Sequence, residues 1–182
     1  MVKPSLAAAC AVAIIMSVTG CSDAGGAKGD APQAELNEEQ VRGAKRTGVL
    51  KIETSAPAPI NGQKDYFEVE LAPYESVELK YAAPKDARIA FRWTATGKVR
   101  SDLHATPTDG GEDLTESYSM TDGTQMQGLY TAAFDGIHGW YWQNRTVDKI
   151  TLRLEASGGF TESTLITDSS YEHRPLNPKP FS

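Results

Sequence analysis

The chain has 182 residues with 18 basic and 24 acidic side chains, a formal charge of −6, and 40% apolar residues. That acidity argues against nucleic acid and anionic headgroups as partners, because both are held by basic surfaces. The two cysteines, Cys10 and Cys21, both stand at the N-terminal end, so the rest of the chain has no thiol for a disulfide framework.

Met1-Val2-Lys3 is a short basic start, followed by an apolar run from Leu6 to Val18 and then by Thr19-Gly20-Cys21. The run has the length of a signal-peptide core and falls short of the ~20 residues a membrane span needs. Val18-Thr19-Gly20-Cys21 closely resembles a bacterial lipobox, in which the cysteine becomes the lipid-bearing first residue of the mature protein. Residues 1–20 are therefore expected to be a lipoprotein signal peptide, with Cys21 the lipidation site. Among charged residues this removes Lys3 alone and leaves a formal charge of −7. Ser22 follows Cys21, which by the enterobacterial sorting convention points to the outer membrane, facing the periplasm. Each buried methylene of an acyl chain contributes ~0.8 kcal/mol, so several chains on one cysteine attach the protein effectively permanently.

Residues 21–46 begin with SDAGGAKGDAPQ after the cysteine, which is too polar to offset its ordering entropy, and read as a flexible tether. Within it, Leu36 to Lys45 has the makings of a short helix with Asn37 as N-cap, weakened by Gly43. Residues 47–63 form an extended lead-in: Val49 to Ile52 is a candidate edge strand, and Ala56-Pro57-Ala58-Pro59 breaks regular structure. From residue 64 the period turns to two. Phe67, Val69 and Leu71 alternate with Glu68 and Glu70; Val77, Leu79 and Tyr81 with Glu78 and Lys80; Ile89, Phe91 and Trp93 with Arg88, Arg92 and Thr94. Gly97 breaks the run, and Val99 to His104 reads as a further, shorter strand. Thr106 to Gly111 is a loop, Leu114 to Met120 another strand, and Thr121-Asp122-Gly123-Thr124 a turn.

The stretch Gly128 to Arg145, GLYTAAFDGIHGWYWQNR, reads as two strands meeting at a tight Asp135-Gly136 turn. In its second arm Trp140 and Trp142 share one face and Tyr141 and Gln143 the other. Ile150, Leu152 and Leu154 then alternate with Thr151, Arg153 and Glu155. Short strands punctuated by Gly, Pro and Asp predict an all-β fold: an antiparallel β-sandwich or jelly roll of about eight strands over residues 64–160. After Gly158-Gly159 the pattern fades, and residues 161–182 read as a Pro-rich C-terminal extension.

The segments Phe134-Asp135-Gly136 and Trp142-Gln143-Asn144, with the Ile-x-Leu-x-Leu strand behind them, resemble the GOLD-type β-sandwich of eukaryotic Golgi cargo receptors. Phe91-Arg92-Trp93-Thr94, Asp102-Leu103-His104 and His138-Gly139-Trp140-Tyr141-Trp142 are similar to a group of bacterial envelope proteins labelled transmembrane anchor proteins. The resemblance spans roughly residues 65–157 and implies a non-catalytic interaction domain with a GOLD-like fold. The chain lacks the receptors' paired cysteines, coiled coil and C-terminal span, so cargo transport does not carry over. It has a lipobox where the bacterial group often has a membrane helix.

Candidate chemistry starts with the histidines. Asp102 and His104 share a strand face, and His138 follows Asp135 by three residues. If the two pairs met, they would offer oxygen and nitrogen ligands to a divalent transition metal such as Zn²⁺ or Cu²⁺. The competing reading is two turn aspartates and two hydrogen-bonded histidines, with no cofactor. Among the aromatic residues, Tyr141 points away from the tryptophan face and is the candidate surface contact for a ligand. Glu68 with Glu70, or Glu112 with Asp113, would be the carboxylates of a hydrolase, but their spacing is that of a solvated strand face. No nucleophile elbow, phosphate loop or dinucleotide fingerprint is present in the sequence. The sequence thus predicts a lipid-anchored envelope protein whose non-enzymatic sandwich binds a protein partner or ligand. A metal-binding or sensing domain using His104 and His138 is the alternative, and a hydrolase the third reading.

Overall fold

The computed structural model describes residues 49–181. The signal peptide, Cys21, the tether and the helix expected over residues 36–45 lie outside them. Where apolar and polar residues alternate, the chain is strand. The strands are β1 (Leu50–Ile52), β2 (Gln63–Leu71), β3 (Ser76–Ala83), β4 (Arg88–Pro107), β5 (Glu116–Thr131), β6 (Gly136–Asn144), β7 (Ile150–Gly158), β8 (Glu162–Ile166) and β9 (Tyr171–Arg174). A 3₁₀ turn, Glu112–Leu114, interrupts them. All pairings are antiparallel, and the sheet is continuous.

Continuity and layering are reconciled in β4. Its first half, Ile89 to Ala95, pairs with β7, and its second half, Val99 to Pro107, pairs with β6. β5 follows it along both halves. One layer is therefore β2–β7–β4–β5–β1 and the other β9–β8–β3–β6–β4–β5, with the β4/β5 pair bending from one into the other. The bend is a bulge: Thr94 pairs with Gln125 and Val99 with Gly123, so residues 95–98 stand against the single residue 124. Gly97 sits at this corner, where an added Cβ would lie 2.6 Å from Ile150 Cγ2.

The inward faces close on each other as a sandwich. Phe91 meets Trp140 with ring centroids 4.8 Å apart, and Trp93 meets Trp142 at 6.3 Å, each pair spanning the layers. All three tryptophans are buried. Each ring removes roughly 200 Å² of surface from water, on the order of 4–5 kcal/mol in transfer free energy. The all-β antiparallel sandwich read from the periodicity is the architecture found.

Three sequence expectations are corrected. First, β5 and β6 do not form a hairpin, because β4 lies between them. Residues 132–135 instead arch from one layer to the other, and Asp135 Oδ1 accepts a hydrogen bond from the Lys85 amide at 2.7 Å. Gly136 lies inside β6 opposite Ala83 and Pro107 and does not have a positive φ; a side chain there would collide with the Thr106 carbonyl. Second, Gly97 and the Thr121–Thr124 segment do not end strands; each rides within one long bent strand. Third, residues 161–182 are not an appendage. β8 and β9 widen the second layer beyond β3, and Phe160 is buried in the core.

The expected edge strand is β1, paired with β5. The lead-in after it crosses the outer face of the first layer, where the Ile60 amide donates to Ser157 Oγ at 3.0 Å. Phe181 lies on the same face, 5.7 Å from the Tyr66 ring. The outer face of the second layer carries the candidate site.

Candidate functional site

Register assembles this site. On the outer face of the second layer, Glu78 of β3 lies opposite Tyr141 of β6, and Tyr141 opposite Asp102 of β4. In the next row Lys80 lies opposite Gly139, and Gly139 opposite His104. Ser117 of β5 completes the row beside His104. Because Gly139 has no side chain, the Lys80 ammonium reaches across it to within 3.4 Å of the His104 carbonyl oxygen, and lies 2.9 Å from Glu78 Oε1. Lys80 is 3% exposed although it starts from an outward position.

His104 has an oxygen acceptor at each ring nitrogen: Glu78 Oε1 is 3.0 Å from Nε2, and the Asp102 carbonyl is 3.2 Å from Nδ1. Ser117 Oγ donates to Asp102 Oδ1 at 2.5 Å. Burial by itself raises the Glu78 carboxyl, but the His104 hydrogen bond and the Lys80 charge outweigh it and hold the group at about 2. Burial draws the Lys80 ammonium below its ordinary range, opposed by Glu78. The result is a closed network of charges, each already partnered. Ser117 is engaged with Asp102 rather than with His104, so the cluster does not present a serine activated by a neighbouring base.

The four residues considered for a metal are split. Asp102 and His104 are here, on the outer face. His138 lies opposite Ala105 and Tyr81 and therefore faces the core, where it is 1% exposed. Its Nε2 donates to the Phe134 carbonyl at 3.0 Å and its Nδ1 accepts from the Tyr130 hydroxyl at 2.7 Å, which fixes the neutral tautomer. Asp135 is in the arch, capping the Lys85 amide. Neighbouring strand residues point to opposite faces, so the two histidines stand on opposite sides of the sheet. Among the described residues no group of three or more potential ligands is placed to hold a metal ion. Beside Glu78 and His104, the Lys80 ammonium is the cation in place.

Tyr141 is half-buried on the outer face, as the alternation requires. Glu68 and Glu70 carry cations of their own, Arg153 and Lys149, on the outer face of the first layer. Sequence reasoning missed Glu78, Lys80 and Ser117 as members of the cluster. Alternation put Glu78 and Lys80 outward, but their approach to His104 depends on β6 lying between β3 and β4. No protein-family model matches the sequence and no curated protein matches it, so the residues alone carry the functional reading.

Proposed function

We propose that the chain is an exported bacterial lipoprotein, anchored through Cys21, whose GOLD-like sandwich binds a protein partner in the cell envelope without catalysing a reaction. The anchoring part rests on the basic start, the short apolar run and the Val18-Thr19-Gly20-Cys21 motif. The observation that carries the binding part is the asymmetry of the two layers. The first has its outer face crossed by the chain's own lead-in and by Phe181. The second presents the Glu78–Lys80–His104 network, Tyr141 and the exposed Met120 and Ile137 on its outer face. A sheet face of partnered charges with scattered apolar side chains suits recognition of another surface, in which pairing is exchanged rather than bonds broken. Ser22 after Cys21 supports an outer-membrane location by the enterobacterial sorting convention, with the domain on the periplasmic side.

Two experiments test the reading separately. Cells expressing the chain are fed a labelled fatty acid: label and membrane association are expected in the native chain and lost in Cys21→Ala. Equal labelling of both removes the anchor. A photo-crosslinking amino acid is then placed at Tyr141 or at Gln125 on the other layer. A discrete adduct from position 141 and none from 125 is the expected result; adducts from neither remove the partner.

A further inference from the structure

We propose that the outer face of the first layer holds a second site, a groove that takes a ring-borne carboxylate with Arg92 as its anion clamp. The groove runs between two walls that the chain lays over its own sheet. One wall is the lead-in, with Pro57 and Pro59; the other is the C-terminal segment, with Phe181. Two depressions meet on its floor, both lined by Arg92 and Glu155. Tyr66 lines one side, its ring edge-on to Phe181 at 5.7 Å.

Charge on the floor is unequally satisfied. Arg153 is engaged by Glu68 and sits 5.3 Å from the Phe181 ring centre. Arg92 is exposed, and no hydrogen bond or ion pair engages its guanidinium among the described residues. Its register neighbours are Gln127 on β5 and Glu155 on β7, yet no ion pair joins it to Glu155. Lys64, also on the rim, has no hydrogen bond or ion pair among the described residues. Lys64, Arg92 and Glu155 together leave one excess positive charge in a groove of a chain whose formal charge is −6. A planar guanidinium with a free fork recognises a carboxylate through two parallel hydrogen bonds. Tyr66, Phe181 and the proline faces beside it supply the flat apolar contact that a ring needs. The ligand class is therefore a carboxylate attached to a ring, either an aromatic acid or an acidic sugar.

The test follows backbone amide shifts of the full chain, in detergent micelles, on titration with 4-hydroxybenzoate or with digalacturonate. Neutral 4-hydroxybenzamide is the control. Saturable shifts confined to Tyr66, Arg92 and Glu155 with one of the acids, and none with the amide, are expected; the acid that saturates identifies the source. Arg92→Gln should weaken that binding about tenfold or more, in keeping with loss of a charge-assisted pair. Glu155→Gln, which removes the one opposing charge, should tighten it a few-fold. Both substitutions are at exposed positions and leave the core unchanged. Failure of both acids to saturate, equal binding of the amide, or unchanged affinity in Arg92→Gln each overturns the proposal. None of these outcomes bears on the lipid anchor or on the second-layer face.

Discussion

The two strand histidines show how one residue type takes two settings from its neighbours. His104 lies between the Glu78 carboxylate and the Asp102 carbonyl on the outer face, whereas His138 is turned to the core and is neutral by hydrogen bonding. Burial lowers the His138 imidazole to about 4, with Lys80 adding to it and the Phe134 carbonyl and Asp135 opposing. An unfolded histidine titrates near ~6.5, so between those values the unfolded chain binds the extra proton and the folded chain does not. Stability from neutral His138 is complete above about pH 6.5 and is lost as pH falls through about 4, by roughly 3 kcal/mol in all. Urea midpoints from pH 7 to 4.5 should therefore fall more steeply in the native chain than in His138→Gln; parallel profiles would refute this. Ser101 offers a change in the other direction. Its hydroxyl is fully buried opposite Trp142 with no hydrogen-bond partner among the described residues. Ser101→Ala removes a desolvated hydroxyl and is expected to stabilise by about 1 kcal/mol, read as a higher urea midpoint at unchanged slope.

At the scale of the element, glycine decides how closely strands approach. Gly139 lies in β6 between Lys80 and His104, and a Cβ there would run into the Leu79 carbonyl and come 2.8 Å from Lys80 Cα. Both obstacles are backbone of β3, so relief requires parting two strands. Gly139→Val should cost about 3 kcal/mol or prevent folding, and should also dislodge Lys80 from its place over the sheet. A variant that melts with the native chain would show that β3 and β6 have slack. The bent β4/β5 pair follows the same physics on a larger scale. A bulge with Gly97 at its corner lets the strand turn where a continuous ladder would resist.

For the whole molecule, the decisive contact is at the C-terminal segment. Asp65 is fully buried on the core side of β2, and it accepts from the Tyr81 hydroxyl at 2.6 Å and the Asn177 amide at 2.8 Å. Arg174 of β9 pairs with the same carboxylate, and the Tyr66 amide donates to the Asn177 carbonyl at 2.8 Å. Residues 174–177 thus join the edge of the second layer to that of the first, and the backbone bond from β2 to Asn177 covers part of an otherwise open edge. Arg174→Met leaves a buried carboxylate without its cation and is expected to cost about 3–5 kcal/mol in denaturant unfolding. Adding Asp65→Asn should return part of that loss. Additive losses would mean that the pair is not coupled.

Alternation in the sequence determined the strand content, the inward rows of Phe67, Phe91, Trp93, Trp140 and Leu152, and the outward turn of Tyr141, because side-chain direction in a strand follows from local geometry. Asp102 and His104 were legible as a pair for the same reason. What lies beside each strand was not legible. The Asp135-Gly136 signal named a hairpin, yet β5 and β6 belong to a pair split by β4; turn chemistry is local, whereas pairing is settled by which faces must be buried together. Asp65 and Arg174 are 109 positions apart, and β8 turns the polar Ser163 inward, so nothing local marked the C-terminal segment as part of the sandwich. Strand order and register decided that His104 and His138 face away from each other, that Lys80 fills the space above Gly139, and that Arg92 is left with an open fork. Those are relations between distant residues, and tertiary packing alone sets them.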